Sequence, residues 1–207
     1  MSTKATAIKN ALETSFSYSD YLNKVENLVH LGKSSGNTQS NELSNYTKLN
    51  QARLKRLTKT QKVNDEILTT LTKLNTKLTF LVLTESWCGD AAQTVPVIYK
   101  VAEQSKNINL KIAYRDENAA LMDYFLTNGN QAIPKLIVLD ANANVLADWG
   151  PRPSTATKMV NDYKKEHGGL SAQFKEDLQV WYNKNKGLDT LNDLNNLLIT
   201  IQETQMV

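Results

Sequence analysis

The residue best placed to do chemistry is Cys88, the single cysteine of a 207-residue chain, in the run Trp87-Cys88-Gly89-Asp90-Ala91. An apolar run precedes it and helical spacing follows, so Cys88 stands where a helix begins. Unpaired amides of Gly89 to Ala92 and the positive end of the helix dipole there favour thiolate over thiol. Asp90 opposes them, because a neighbouring carboxylate raises a thiol pKa. The sequence leaves the net sign open. A lone cysteine is often no more than a small buried apolar residue, yet the helix-start position beside Trp87 favours an exposed, reactive thiol.

One thiol limits the reactions within reach. No intramolecular disulfide can form, so a mixed disulfide on Cys88 must be resolved by an external thiol, glutathione or another low-molecular-weight thiol, or by a second protein. Monothiol exchange, glutathionylation and peroxide sensing through a sulfenic acid are the available chemistries. The single cysteine fits a reducing compartment. His30 and His167 are far from Cys88 and from each other in sequence, so no metal site is expected.

The elements that must hold Cys88 follow from the hydrophobic pattern. Leu78 to Thr84 reads as a strand buried on both faces, and Gly89 to Ser105 as a helix kinked by Pro96. Next come a strand (Ile108 to Tyr114), a helix (Asn118 to Leu126), and two strands joined at Asp140-Ala141-Asn142-Ala143-Asn144: Lys135 to Leu139 and Val145 to Trp149. Ser154 is expected to cap a helix to about His167, which Gly168-Gly169 stops. Phe174, Leu178 and Trp181 line another helix, and Leu191, Leu194, Leu198 and Ile201 a last one capped near Asp189 or Thr190. Before Leu78 the pattern predicts two to four helices. One runs from Asp20 with Leu22, Val25 and Val29, one from Ser40 with Leu43, Tyr46 and Leu49, and one from Thr60 with Val63, Ile67, Leu71 and Leu74. The organisation is thus a helical N-terminal extension packed on the core (1–77), an α/β domain (78–167) and C-terminal helices (168–207).

Trp87-Cys88-Gly89, directly after a buried strand and opening a helix, together with Ile133-Pro134 immediately before a hairpin, resembles the thioredoxin family. The likeness covers about Leu78 to Lys165. The segments ESWCGDAAQ, RDEN, LTNGNQAIPKL and WGPRP also resemble a group of bacterial thioredoxin-family proteins with a helical N-terminal extension. The resemblance implies a thioredoxin-like α/β fold, a central mixed β-sheet flanked by helices, with further helices at both ends. It implies a cis bond before Pro134, packed opposite the cysteine, where Ile133 would expose backbone groups to an extended partner peptide. It also places the family's resolving cysteine at Ala91 and its buried acid at Val82, and both are absent here. Lys135, next to Pro134, would lower the Cys88 pKa. Glu85 and Arg115 would lie at neighbouring strand ends, where they hold a ligand carboxylate or, the preferred reading, pair with each other.

These residues support two close readings. In the first, Cys88 performs thiol-disulfide exchange or redox sensing within cell redox homeostasis, with Trp87, Gly89, Asp90, Ile133, Pro134 and Lys135 contacting the partner. In the second, the same face is a redox-inactive protein-binding module. Whether the protein is an enzyme stays open, and self-contained dithiol activity is not expected. No cofactor is expected beyond an external thiol. A third reading starts from the basic residues Lys48, Arg53, Lys55, Arg56, Lys59 and Lys62, which lack interleaved aromatics and read as a solvated helix face, so no nucleic acid is expected. Net charge is +3, split as 12 basic and 6 acidic residues before Leu78 and 12 and 15 from it onward, so the two parts attract. No apolar run approaches the roughly 18 residues of a membrane span, and the N-terminus lacks the anatomy of a secretory signal, which points to the cytoplasm.

Overall fold

The computed structural model describes residues 3–205. Its centre is a four-stranded sheet in the order β2-β1-β3-β4. Strand β1 (Leu78–Thr84) pairs in parallel with β2 (Ile108–Tyr114) and antiparallel with β3 (Lys135–Leu139), which pairs antiparallel with β4 (Val145–Trp149). β1 and β3 lie in the middle, and this is why both are nearly continuous apolar runs: helices cover them on both faces. The β3–β4 turn is built by Asp140, whose carboxylate accepts hydrogen bonds from the Asn142 and Asn144 amides at 2.8 Å.

Four helices precede the sheet: α1 (Lys4–Thr14), α2 (Tyr18–His30), α3 (Asn41–Thr60) and α4 (Asp65–Thr72). Thr3, Ser17, Ser40 and Asn64 cap them, each accepting a backbone N–H of the first turn. Between α1 and α2, Phe16 exchanges two 2.9 Å backbone hydrogen bonds with Ile112, which covers the free edge of β2. Ala7, Ile8, Ala11, Tyr18, Tyr21, Val25, Leu54, Ile67 and Leu71 of these helices share one apolar core with the sheet. α5 (Gly89–Glu103) follows β1 and runs continuously through Pro96. The helix expected over 118–126 is shorter: a 3₁₀ turn (Asp116–Asn118) leads into α6 (Ala119–Met122), and Tyr124 and Phe125 then make i→i+3 bonds that tighten the chain out of the helix.

Three helices close the chain: α7 (Ser154–His167), α8 (Ala172–Asn185) and α9 (Leu188–Gln205). α9 buries Leu191, Leu194, Leu198 and Ile201 in the main core. Pro153 rather than Ser154 occupies the cap of α7, because the Ser154 hydroxyl donates to Asp193 of α9 at 2.7 Å. Two expected helix faces are also corrected. In α3, Tyr46 and Leu49 are exposed at 37% and 53%, and the buried face is Thr47, Asn50, Leu54 and Leu57. The polar half of that face meets a polar loop after β1, so apolar spacing could not mark it. In α8, Tyr182 rather than Trp181 completes the buried line with Phe174 and Leu178. The third N-terminal helix starts at Asp65, not Thr60, since α3 itself extends to Thr60 and Gln61 is extended. The basic residues of α3 lie mostly in solvent, and Arg53 turns inward to donate to Asn50 at 2.9 Å.

Candidate functional site

Cys88 caps α5: its Sγ accepts a hydrogen bond from the Ala91 amide at 3.4 Å. On the other side, the thiol donates to the Ile133 carbonyl at 3.3 Å. The Ile133-Pro134 bond is cis, as is Gly150-Pro151. These two segments lie against each other. At Gly150, with φ of 115°, a Cβ would collide with the Pro134 carbonyl, so only glycine fits the close approach. The arrangement sets one sulfur between a helix N-terminus and a cis-proline loop.

The thiol is not exposed. Cys88 is 7% accessible, and burial, reinforced by the Asp90 carboxylate, pushes its pKa up from 9.0 to about 12 despite the opposing Ala91 and Asp90 amides and Arg152. The expectation of an accessible thiol is therefore corrected: Cys88 is part of the main apolar core, and α8 lies against the residues that follow it. Gln179 of α8 accepts from Gln93 Nε2 at 3.0 Å, and its own amide nitrogen lies 3.4 Å from where a Gly89 Cβ would be. Tyr182 donates its hydroxyl proton to Asp90 Oδ1 at 2.9 Å, and Arg152 grips Asp90 Oδ2 at 2.7 Å. Burial raises the Asp90 pKa, opposed first by Arg152 and then by the Tyr182 hydrogen bond.

The structure brings Trp87, Cys88, Gly89, Asp90, Ile133 and Pro134 into one loop cluster, sets Arg115 against Trp87 at its rim, and turns the Lys135 and Glu85 side chains to other partners. Lys135 is buried and bonded to Asp148 at 2.9 Å, so its charge is spent on β4 rather than on Cys88. Glu85 and Arg115 do not pair. Arg115 bonds Asp116 at 2.7 Å and places its guanidinium 5.2 Å from the Trp87 ring centre. Glu85 is fully buried. It accepts from the Ser35 hydroxyl and from the Asp116 amide at 2.9 Å, and burial raises its pKa. Beside it, the Ser86 hydroxyl meets Thr47 and the Ser35 amide, each at 2.9 Å, and Asn50 donates to the Ser86 carbonyl at 3.0 Å. Sequence reasoning missed Ser35, Thr47, Asn50, Arg152, Gln179 and Tyr182. For Tyr182 a signal existed, since it stands at i+4 from Leu178 and i+8 from Phe174.

A sulfur at a helix start facing the carbonyl of the residue before a cis-proline agrees with a family match: the family model described as thioredoxin matches residues 36–164. The chain belongs to the thioredoxin family. Among thioredoxin-like folds, it is similar to the crystal structure of a protein of unknown function from Pseudomonas aeruginosa, at 15% identity over 99% of both chains with a TM-score of 0.65. It is also similar to an HIV epitope scaffold, at 17% identity over 91% of this chain and 99% of that one with a TM-score of 0.56. At these identities the two likenesses speak to the fold alone. No curated protein matches the chain. No described helix is long and apolar enough to cross a membrane.

Proposed function

We propose that this thioredoxin-family protein carries out thiol-disulfide exchange through Cys88 alone. The observation that supports it best is the placement of Sγ between the Ala91 amide and the Ile133 carbonyl, 3.4 and 3.3 Å away. Once the thiol proton passes to solvent, the Cys88 thiolate attacks one sulfur of a disulfide R–S–S–R′. The S–S bond breaks, Cys88 becomes a mixed disulfide with R, and R′ leaves as thiolate. An external thiol, of which glutathione is the candidate, then attacks the R sulfur, carries it off as a disulfide and restores Cys88. A second thiol within the chain has no part in this cycle, in keeping with Ala91 at the resolving position and Val82 at the position of the family's buried acid. Trp87, Gly89, Asp90, Ile133 and Pro134 would meet the partner, in the reducing cytoplasm.

The test is incubation of the native protein with glutathione disulfide, followed by intact mass. One adduct on the wild type, absent from Cys88→Ser and removed by added thiol, is the expected result. A protein that takes up no glutathione after prolonged incubation at mildly alkaline pH would refute the reading. Burial of the thiol favours a second reading, a redox-inactive module that binds a protein partner at the same face. That module would capture its partner equally well as Cys88→Ser.

A further inference from the structure

α7 and α8 are tied to the molecule unevenly. Their apolar side chains, Ala156, Val160, Phe174, Leu178 and Tyr182, form a cluster apart from the main core. The start of α7 is anchored, since Asp193 of α9 accepts from the Ser154 amide at 2.9 Å as well as from its hydroxyl. α8, by contrast, lies between Gly168 and Gly187, whose φ values of 73° and 79° mark joints that suit glycine. What α8 lays on the Cys88 loop is polar: the Tyr182 hydroxyl on Asp90 and the Gln93 to Gln179 bond. Arg56 to Asn183 at 2.8 Å and Gln61 to the Lys186 carbonyl at 3.2 Å hold its far end. The bonds at its far end are exposed and exchange for water at small net cost, unlike the apolar burial that fixes α9, which leaves the buried Tyr182 to Asp90 bond as the main tie to the Cys88 loop.

We infer that α8 is a cover over Cys88, latched to Asp90 by Tyr182, which opens as a local unit and decides when the thiol is reachable. The inference rests on reading Cys88 as the exchanging thiol. Arg152 belongs to the 150–153 loop, not to α8, so Asp90 keeps its countercharge whether α8 is docked or lifted. Arg152 is the fixed half of the latch and Tyr182 the movable half. The Arg152 Nε is buried without a hydrogen-bond partner among the described residues, a second donor ready for the carboxylate when Tyr182 leaves. Closed, the thiol proton rests on the Ile133 carbonyl and Gln179 screens the start of α5. Lifting α8 admits water to the Asp90 side of Cys88 and lessens the burial that holds the thiol protonated.

The test reads accessibility rather than exchange. Native protein is labelled with N-ethylmaleimide across low urea concentrations, and amide hydrogen exchange is followed in parallel. Local opening predicts labelling that depends weakly on urea, amides of α8 exchanging ahead of those of β1 and α9, and labelling about tenfold faster in Tyr182→Phe, as one lost charge-assisted hydrogen bond implies. Labelling that tracks global unfolding in both proteins, with α8 amides as protected as those of α9, would overturn the cover. A protein that labels by local opening but never takes up glutathione would keep the cover and lose the exchange reading.

Discussion

Two added regions meet at the loop after β1, and they hold it in different ways. On one side, residues from before the sheet enter the core. Tyr21 is 1% exposed and hydrogen-bonded with Thr84, Phe16 extends the sheet edge, and Ser35, Thr47 and Asn50 satisfy Glu85 and Ser86. On the other side, α8 keeps its apolar residues against α7 and touches Gly89 and Asp90 through polar groups. The first region is part of the fold of the site, and the second is docked upon it. A shared loop can thus be held firmly by one neighbour and released by another, because extensive apolar burial outweighs a contact that rests on a few hydrogen bonds.

The sharpest way to break this comparison is truncation of one large side chain on each side. Tyr21→Ala should cost about 3–5 kcal/mol in urea unfolding, as for other buried aromatics. Phe174→Ala, which opens the α7–α8 cluster, should cost clearly less in the global transition and show itself instead as faster Cys88 labelling. Equal losses in the two variants would mean that α8 is as much a part of the fold as α2.

The next effect concerns the buried carboxylate. Ser35→Ala removes the hydroxyl that donates to Glu85, at a cost of about 1–3 kcal/mol for a buried group left short of a partner. Burial already raises the Glu85 pKa above 4.5, and Ser35 acts to lower it, so its loss raises it further. A raised acid binds its proton more tightly when folded, and stability is lost as pH climbs past the unfolded value. The cost of Ser35→Ala should therefore be larger at pH 7 than at pH 4, which urea midpoints at the two values will show. A cost independent of pH would separate Ser35 from Glu85.

These same residues mark what was legible beforehand. β1 and β3 could be read because strands buried on both faces write themselves as apolar runs, and α9 because its leucines repeat at helical spacing. The pairing of Cys88 with a cis-Pro134 was implied only by family resemblance, since no local pattern carries that geometry. Glu85 with Ser35 is a contact across 50 residues, and Tyr182 with Asp90 across 92. Polar contacts at such separations leave no period in the sequence. The buried face of α3 escapes apolar spacing for a related reason: it packs Thr47 and Asn50 on a polar loop, so its hydrophobic residues at 46 and 49 point to water.

The smallest effect isolates the thiol itself. The folded Cys88 pKa is raised from 9.0 to about 12, by burial first and the Asp90 carboxylate second. Below pH 9 both folded and unfolded thiols are protonated, and the group adds no pH dependence. Above it the unfolded chain ionises while the folded one does not, so the wild type loses stability on going from pH 8 to pH 10, by about 1.4 kcal/mol from this group. Cys88→Ala has nothing to ionise there. Its deficit against the wild type at pH 8, from the lost Sγ contacts to Ala91 and Ile133, should shrink by that amount at pH 10. Tyr18, Tyr21, Tyr114 and Tyr182 are also raised, but they are present in both proteins and cancel in the difference. A constant difference between the two pH values would mean that the folded thiol ionises as freely as the unfolded one, and the contrast between a docked α8 and an open site would fail at the atom it is meant to explain.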